Sequence, residues 1–183
     1  IQRNYPAMKK WIEYMRTFLK DGIMPKNTYG DWCVPPEKPE LIHSQDPARV
    51  TAGALLSTAY YHRMLQLMSR YAKLSGHAAD VDEYQQLAAQ VKTAFVKAYF
   101  KQEQNRFDNG TQTSSVLPLA FDLTPPASRD AVFQNLVNKI EKESDNHVGV
   151  GLVGAQWLMR TLSDNGRADL ALTDVHVAVE IAA

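Results

Sequence analysis

Apolar residues recur at three- and four-residue steps along almost the whole chain, the period of amphipathic helices, and rarely alternate as a half-buried strand requires. Between residues 5 and 19, Tyr5, Met8, Trp11, Ile12, Met15, Phe18 and Leu19 predict one buried helix face. A longer run opens at Asp46-Pro47, a capping residue followed by proline at the first helical position. It carries Val50, Leu55, Leu56, Ala59, Tyr60, Met64, Leu67, Met68, Tyr71 and Leu74 to a stop at Gly76. At about 29 residues this helix is predicted to be roughly 43 Å long. A third helix spans 80 to 100, opened by Asp80 with Glu83 three positions on, and presents Tyr84, Leu87, Val91, Ala94, Phe95 and Tyr99. A fourth falls near 112 to 121, and Pro125-Pro126 then breaks the chain. A fifth follows Ser128 with Ala131, Val132, Leu136, Val137 and Ile140 inward. A sixth covers 152 to 163 and a seventh starts at Arg167. Only the last ten residues, DVHVAVEIAA, fit strand and helix equally.

The connections after the first, third and fifth helices are long (21 to 46, 101 to 111, 144 to 151), and those after the second, fourth and sixth are short. In an up-down arrangement alternate connections lie at opposite ends, so the three long loops are predicted to share one face. Long loops on a rigid scaffold are where binding and catalysis concentrate.

Composition narrows the functions such a face can have. Of 183 residues 45% are hydrophobic, and 20 Lys and Arg balance 20 Asp and Glu, so no basic field invites nucleic acid or an anionic membrane surface. No apolar run of 18 residues exists to span a bilayer as a helix. The one cysteine, Cys33, excludes an internal disulfide and any zinc site built on two cysteines, and His62 and His77 have no acid or histidine beside them at ligand spacing. No metal or cofactor is therefore expected. The opening IQRNYPAMKKW lacks a signal-peptide pattern, which fits either a cytosolic protein or an internal piece of a longer, periplasmic or secreted one.

The first long loop, KNTYGDWCVPPEKPELIHSQD, gathers Tyr29, Asp31, Trp32, Glu37, Glu40, His43 and Asp46 between prolines. An indole beside a carboxylate suits a sugar, whose C–H face stacks on the ring while the carboxylate accepts from hydroxyls. The alternative is that Trp32 plugs the end of the bundle and Asp31 caps a turn. The second loop leads through Asn109-Gly110 into Thr111, Gln112, Thr113 and Ser114 at a helix start. Capping chemistry accounts for Thr111 or Thr113 more readily than for Gln112. In the third, Gly149, Gly151 and Gly154 match GxGxxG literally. What precedes them is an amphipathic helix and a polar turn, not the buried strand that a phosphate-cradling loop needs. The glycines are instead read as allowing close approach of a helix or ligand. His147 stands at the head of that stretch, as a ligand-binding or a loop-stabilising residue. Tyr60 and Tyr61 interrupt the long helix as core residues or as the lining of a cavity.

Taken together, YGDWCVPPE at 29 to 37, FDNGTQTSSVLPLAFDLTP at 107 to 125 and NHVGVGLVGAQWLMRTLSDNGRADLAL at 146 to 172 resemble the catalytic domain of bacterial α-L-rhamnosidases, inverting glycosidases built as a six-hairpin (α/α)6 toroid. The resemblance implies an all-α fold of helical hairpins forming part of that toroid over residues 1–173, with 174–183 a non-matching tail. It also implies L-rhamnose-containing glycans or glycosides as partners, with Asp31 and Trp32 near the sugar and His147 preceding the glycine-rich helix start. The family's general acid, in an acidic motif with arginine, and its general base, in a Thr-Thr-Ile-Trp-Glu type stretch, have no counterpart in the 183 residues, so the catalytic residues stay unassigned. Inversion needs two carboxyls about 6.5 to 9.5 Å apart, and this chain alone is expected to turn over little or nothing. Seven helices of a twelve-helix ring would also leave apolar faces uncovered, predicting a homodimer or aggregation. Two alternatives are a noncatalytic hairpin scaffold and a six-hairpin glycosidase for another sugar. The first lacks the self-similar period of about 34 to 47 residues that repeats show. The second, for an anionic sugar, would favour loop arginines, of which Arg106 is the only one.

Overall fold

Proline donates no backbone hydrogen bond and so belongs in the first turn of a helix, where Pro6 stands in α1, Tyr5–Arg16. The computed structural model describes residues 1–25, 30–35, 46 and 48–172. Five more helices follow: α2 (Gly53–Leu74), α3 (Ala78–Tyr99), α4 (Gln112–Ala120), α5 (Arg129–Asn138, prolonged by a π-helical turn, Lys139–Glu143) and α6 (Leu152–Asp164). Residues 168–172 begin another. Among the described residues the only sheet is a small antiparallel hairpin in the second long loop, β1 (Phe100–Lys101) with β2 (Arg106–Phe107). The chain is all-α, as its periodicity requires.

Two boundaries differ markedly from the hydrophobic pattern, and a third by a few residues, since α3 has His77 as its N-cap and Asp80, expected to open it, stands inside the first turn. α1 stops at Arg16, and Asp21 and Gly22, both at positive φ, turn the chain back. α2 has 22 residues and begins at Gly53, well after Asp46. The Asp46 side chain accepts from Ala48 N and its carbonyl from Arg49 N, closing an isolated turn. Tertiary bonds then hold the backbone out of the helix. The buried Thr51 hydroxyl lies 2.7 Å from that of Thr111, and Val50 O accepts from Asn109 Nδ2 at 2.8 Å. Both partners are remote in sequence and invisible to periodicity.

The helices pack in two layers. α2, α4 and α6 lie side by side, with α1 and α3 against α2 and α5 against α4. One apolar cluster, including Tyr5, Ile12, Tyr61, Leu65, Tyr84 and Val91, joins α1, α2 and α3. A second, including Leu55, Phe95, Phe107, Leu117, Leu136 and Leu158, runs from α2 to α6. Between these flanks α4 is buried from Gln112 to Leu119, so even its polar first turn must bond within the protein. Asp80 ties α1 to α3, accepting from Tyr5 Oη at 2.8 Å and Lys9 Nζ at 2.6 Å, bonds that hold its carboxyl below the usual range, the Lys9 bond most. Trp11, expected in the buried face of α1, is 53% exposed. It borders an apolar groove with Met8 and Ile12 of α1 and Met64, Leu67 and Tyr71 of α2.

Candidate functional site

Because α2, α4 and α6 run parallel, their N-termini fall at one end of the molecule, and the three long loops meet there. The first loop is anchored at Met24, whose N–H donates to Thr58 Oγ1 at 2.9 Å and whose carbonyl accepts from Ser57 Oγ at 3.0 Å. Further along, the same loop reaches α6. Its closing residues, Val50 and Thr51, bond the second loop at Asn109 and Thr111.

The Gly-Asp-Trp segment seals this junction. Asp31 is 8% exposed, and both its carboxylate oxygens are engaged. Oδ2 accepts from Gly151 N at 2.8 Å and from Thr113 Oγ1, and Oδ1 accepts from Val153 N and Gly154 N, each at 3.1 Å. Gly151 opens α6 with no side chain to cap it, so a carboxylate from 120 residues away binds the orphan amides and faces the positive end of the helix dipole. Trp32 O accepts from Leu152 N at 2.8 Å, which fixes the Trp32 backbone over the first turn of α6 while its side chain stays open, the residue being 61% exposed.

Gln112 performs the matching task for the third loop. Its Oε1 accepts from Gly149 N at 2.9 Å, and its Nε2 donates to His147 O at 3.1 Å and Ser144 Oγ at 3.3 Å. The glycines of that loop answer to packing. A Cβ on Gly149 would lie 2.7 Å from Gln112 Nε2, and one on Gly151 would lie 2.6 Å from the Asp31 carbonyl oxygen. Close approach of two segments is their role here. His147 is exposed, with Nδ1 2.8 Å from Ser144 O. A carbonyl only accepts, so Nδ1 carries the proton and Nε2 is the acceptor of the neutral ring.

Below the Trp32 contact, α2 and α6 leave a recess of about 320 Å³ lined by Leu56, Ser57, Tyr60, Val153 and Gln156. Tyr60 Oη accepts from Trp157 Nε1 at 2.9 Å and donates to Gln156 Oε1 at 3.4 Å, and Phe121 packs edge-on against both the Tyr60 and Trp157 rings. Burial raises the Tyr60 phenol above its ordinary value, so it keeps its proton at neutral pH. The two readings of the Tyr60-Tyr61 pair divide between the residues. Tyr61 is core, and Tyr60 lines a cavity.

The structure thus brings Asp31, Trp32 and the loop that His147 heads to one end, joined through Thr113 and Gln112. Thr111 caps α4, accepting from Ser114 N at 3.3 Å, whereas Thr113, read as a capping residue, is spent on Asp31. Tyr29, Glu37, Glu40, His43 and the 174–183 tail lie outside the described residues. Sequence reasoning did not find Gln156 or the pairing of Thr113 with Asp31. The only local signal was an unusually polar start to a helix that is otherwise apolar. Among the described residues no three His, Cys, Asp or Glu side chains group to hold a metal, and no helix is long and apolar enough to cross a membrane.

Helical hairpins whose alternate members form one layer, with long loops gathered over that layer's N-termini, define part of an (α/α)6 toroid of the glycosidase kind. The chain belongs to the bacterial α-L-rhamnosidase six-hairpin glycosidase domain family, whose model matches residues 1–177. An α-L-rhamnosidase of Formosa agariphila is 32% identical over 170 residues, covering 93% of this chain and 18% of that protein. The crystal structure of Streptomyces avermitilis α-L-rhamnosidase complexed with L-rhamnose superposes with a TM-score of 0.80 at 28% identity, over 92% of this chain and 15% of that one. An α-L-rhamnosidase from Dictyoglumus thermophilum gives a TM-score of 0.83 at 28% identity, over 94% and 19%. The chain therefore spans less than a fifth of the length of these relatives.

Proposed function

We propose that this chain forms one wall of the substrate mouth of a glycoside hydrolase that removes terminal α-L-rhamnosyl groups with inversion. The observation that carries the reading is Trp32, an indole left exposed where three helix N-termini and three long loops converge, its backbone locked to α6. A rigid exposed ring is suited to stacking on the C–H face of a neutral sugar. His147 Nε2 offers an acceptor for a hydroxyl on the third loop, and Asp31 acts from behind as a positioning residue, since its oxygens are already engaged by four protein donors.

Inversion needs one carboxyl to protonate the leaving oxygen and a second to activate water on the opposite face of the ring. Asp31, buried and fully bonded, is free for neither step. The pair is supplied by segments outside these 183 residues, and the chain alone turns over little or nothing. The test is a titration of the full-length protein with L-rhamnose followed by tryptophan fluorescence, beside Trp32→Ala. A saturable response in the wild type and none in the variant is expected, with the β-anomer as the first sugar released from an α-L-rhamnoside in an NMR time course. No response at high millimolar L-rhamnose, or the α-anomer appearing first, would overturn the reading.

A further inference from the structure

A second recess lies toward the other end of the helix layer, where α4 and α6 finish, and its chemistry is unlike that of the mouth. It measures about 230 Å³, less than the roughly 300 Å³ at which pockets for whole small molecules begin, but ample for a single carboxylate. Arg63 of α2, Arg129 of α5 and Arg160 of α6 line it together with Thr161 and Asp164. Two of these arginines meet uncharged acceptors. Arg63 Nη1 donates to the Gln66 amide oxygen at 3.3 Å, and Arg129 Nη1 donates to Leu119 O at 3.0 Å, near the end of α4. Asp164, the one carboxylate among the described lining residues, is paired with Arg160 at 3.3 Å. Thr161 gives the recess a second unmet demand. It is 3% exposed, and its hydroxyl has no hydrogen-bond partner among the described residues, not even the carbonyl one turn back that a helical threonine can take. A buried donor of this kind is costly unless an acceptor reaches it.

The charge of the recess sets the class of group it can take. Three guanidiniums against Asp164 leave a formal excess of two positive charges. The last turns of α4 and α6 also line the recess, and each helix end carries roughly half a negative charge, which lowers the excess to about one. One carboxylate neutralises that, and a dianion would overshoot. We propose that this recess holds one carboxylate group, its oxygens on the guanidiniums of Arg63 and Arg160 and on the Thr161 hydroxyl. Guanidinium forks grip a carboxylate through paired N–H donors, and the hydroxyl fills a remaining lone pair. Two sources have this chemistry: a free small carboxylic acid, and an aspartate or glutamate from a segment outside these 183 residues, which span less than a fifth of the relatives' length. The site uses neither Trp32 nor His147 and does not depend on the glycosidase reading.

The test is a calorimetric titration of the full-length protein with sodium acetate in chloride-free buffer, beside Arg63→Gln and Thr161→Val, with the melting midpoints of all three measured without acetate. If a free acid is the source, the wild type binds acetate, Arg63→Gln weakens that binding about tenfold or more, and Thr161→Val weakens it by a similar factor. Thr161→Val then melts at or above the wild type, because it deletes a hydroxyl that had no partner. If an internal side chain is the source, acetate does not bind, and both variants melt below the wild type by about 2 °C or more, each having lost a bond to the resident carboxylate. Acetate binding that survives Arg63→Gln unchanged overturns the site. So does an absence of acetate binding with either variant melting at or above the wild type.

Discussion

Gly151→Ala sets two physical effects against each other at the point where the first loop meets α6. The backbone there has φ −85° and ψ −167°, open to any residue, so alanine in free space would stabilise by about 0.4–1 kcal/mol through the unfolded chain. Space is what is lacking. The added Cβ would stand 2.6 Å from the Asp31 carbonyl oxygen and 2.7 Å from its carbonyl carbon, atoms of the main chain that cannot rotate away. Relief requires the loop to move, stretching the Leu152 N bond to Trp32 O and the Asp31 bonds to three amides of α6. Overpacking costs about 1–3 kcal/mol, and partial weakening of the charge-assisted Asp31 bonds adds about 1–2 kcal/mol in all, since each is worth about 1.5–3 when fully formed. A net loss of about 2–4 kcal/mol is expected, which for a domain of this size lowers the melting midpoint by roughly 5–15 °C. Calorimetric melts of Gly151→Ala beside Gly166→Ala measure it. Gly166, at φ +84° with nothing within 4 Å, should lose only about 1–2 kcal/mol to left-handed strain. A Gly151→Ala midpoint at or above the wild type, or a smaller loss than at Gly166, would refute the contact.

Three further outcomes are expected. Asp31→Asn keeps the size of the side chain but turns an amide toward donors, and should cost about 2–4 kcal/mol in urea unfolding while shifting Trp32 emission and weakening L-rhamnose binding. Unchanged emission would mean Trp32 is set independently of Asp31. His62, 3% exposed, is held by burial at about 4 instead of its ordinary 6.5. The stability this reflects is complete above about pH 6.5 and is lost as pH falls toward 4, by about 3 kcal/mol, so His62→Gln should flatten that part of the pH profile of the melting midpoint. The apolar groove between α1 and α2, bordered by the exposed Trp11, should drive self-association of the 183-residue chain, and Trp11→Ser should reduce it. A concentration-independent monomer in sedimentation equilibrium would count against that proposal.

Helix number, order and the clustering of long loops at one end were legible from the sequence, because a 3.6-residue period and turn residues such as Asn165-Gly166 are local properties of the chain. The start of α2 was not. Asp46-Pro47 has the local form of a helix cap, but Val50 and Thr51 are tied to Asn109 and Thr111, some 60 residues away, and stay outside the helix. Burial on α1 was half legible, since Ile12 is covered and Trp11, on the same apolar stripe, is open.

At the site, the sequence determined which residue types gather: an indole, a carboxylate, three glycines and a neutral polar helix start. Only the tertiary structure decided what each is for. Asp31 reads as a sugar ligand or a cap until four donors from Thr113 and the start of α6 are seen to occupy it, and Tyr60 reads like Tyr61 until one faces the recess and the other the core. The physical reason is the same in both cases. A side chain's chemistry is set by its own atoms, whereas whether that chemistry is left over for a ligand depends on partners 80 to 120 residues distant, which no local pattern encodes.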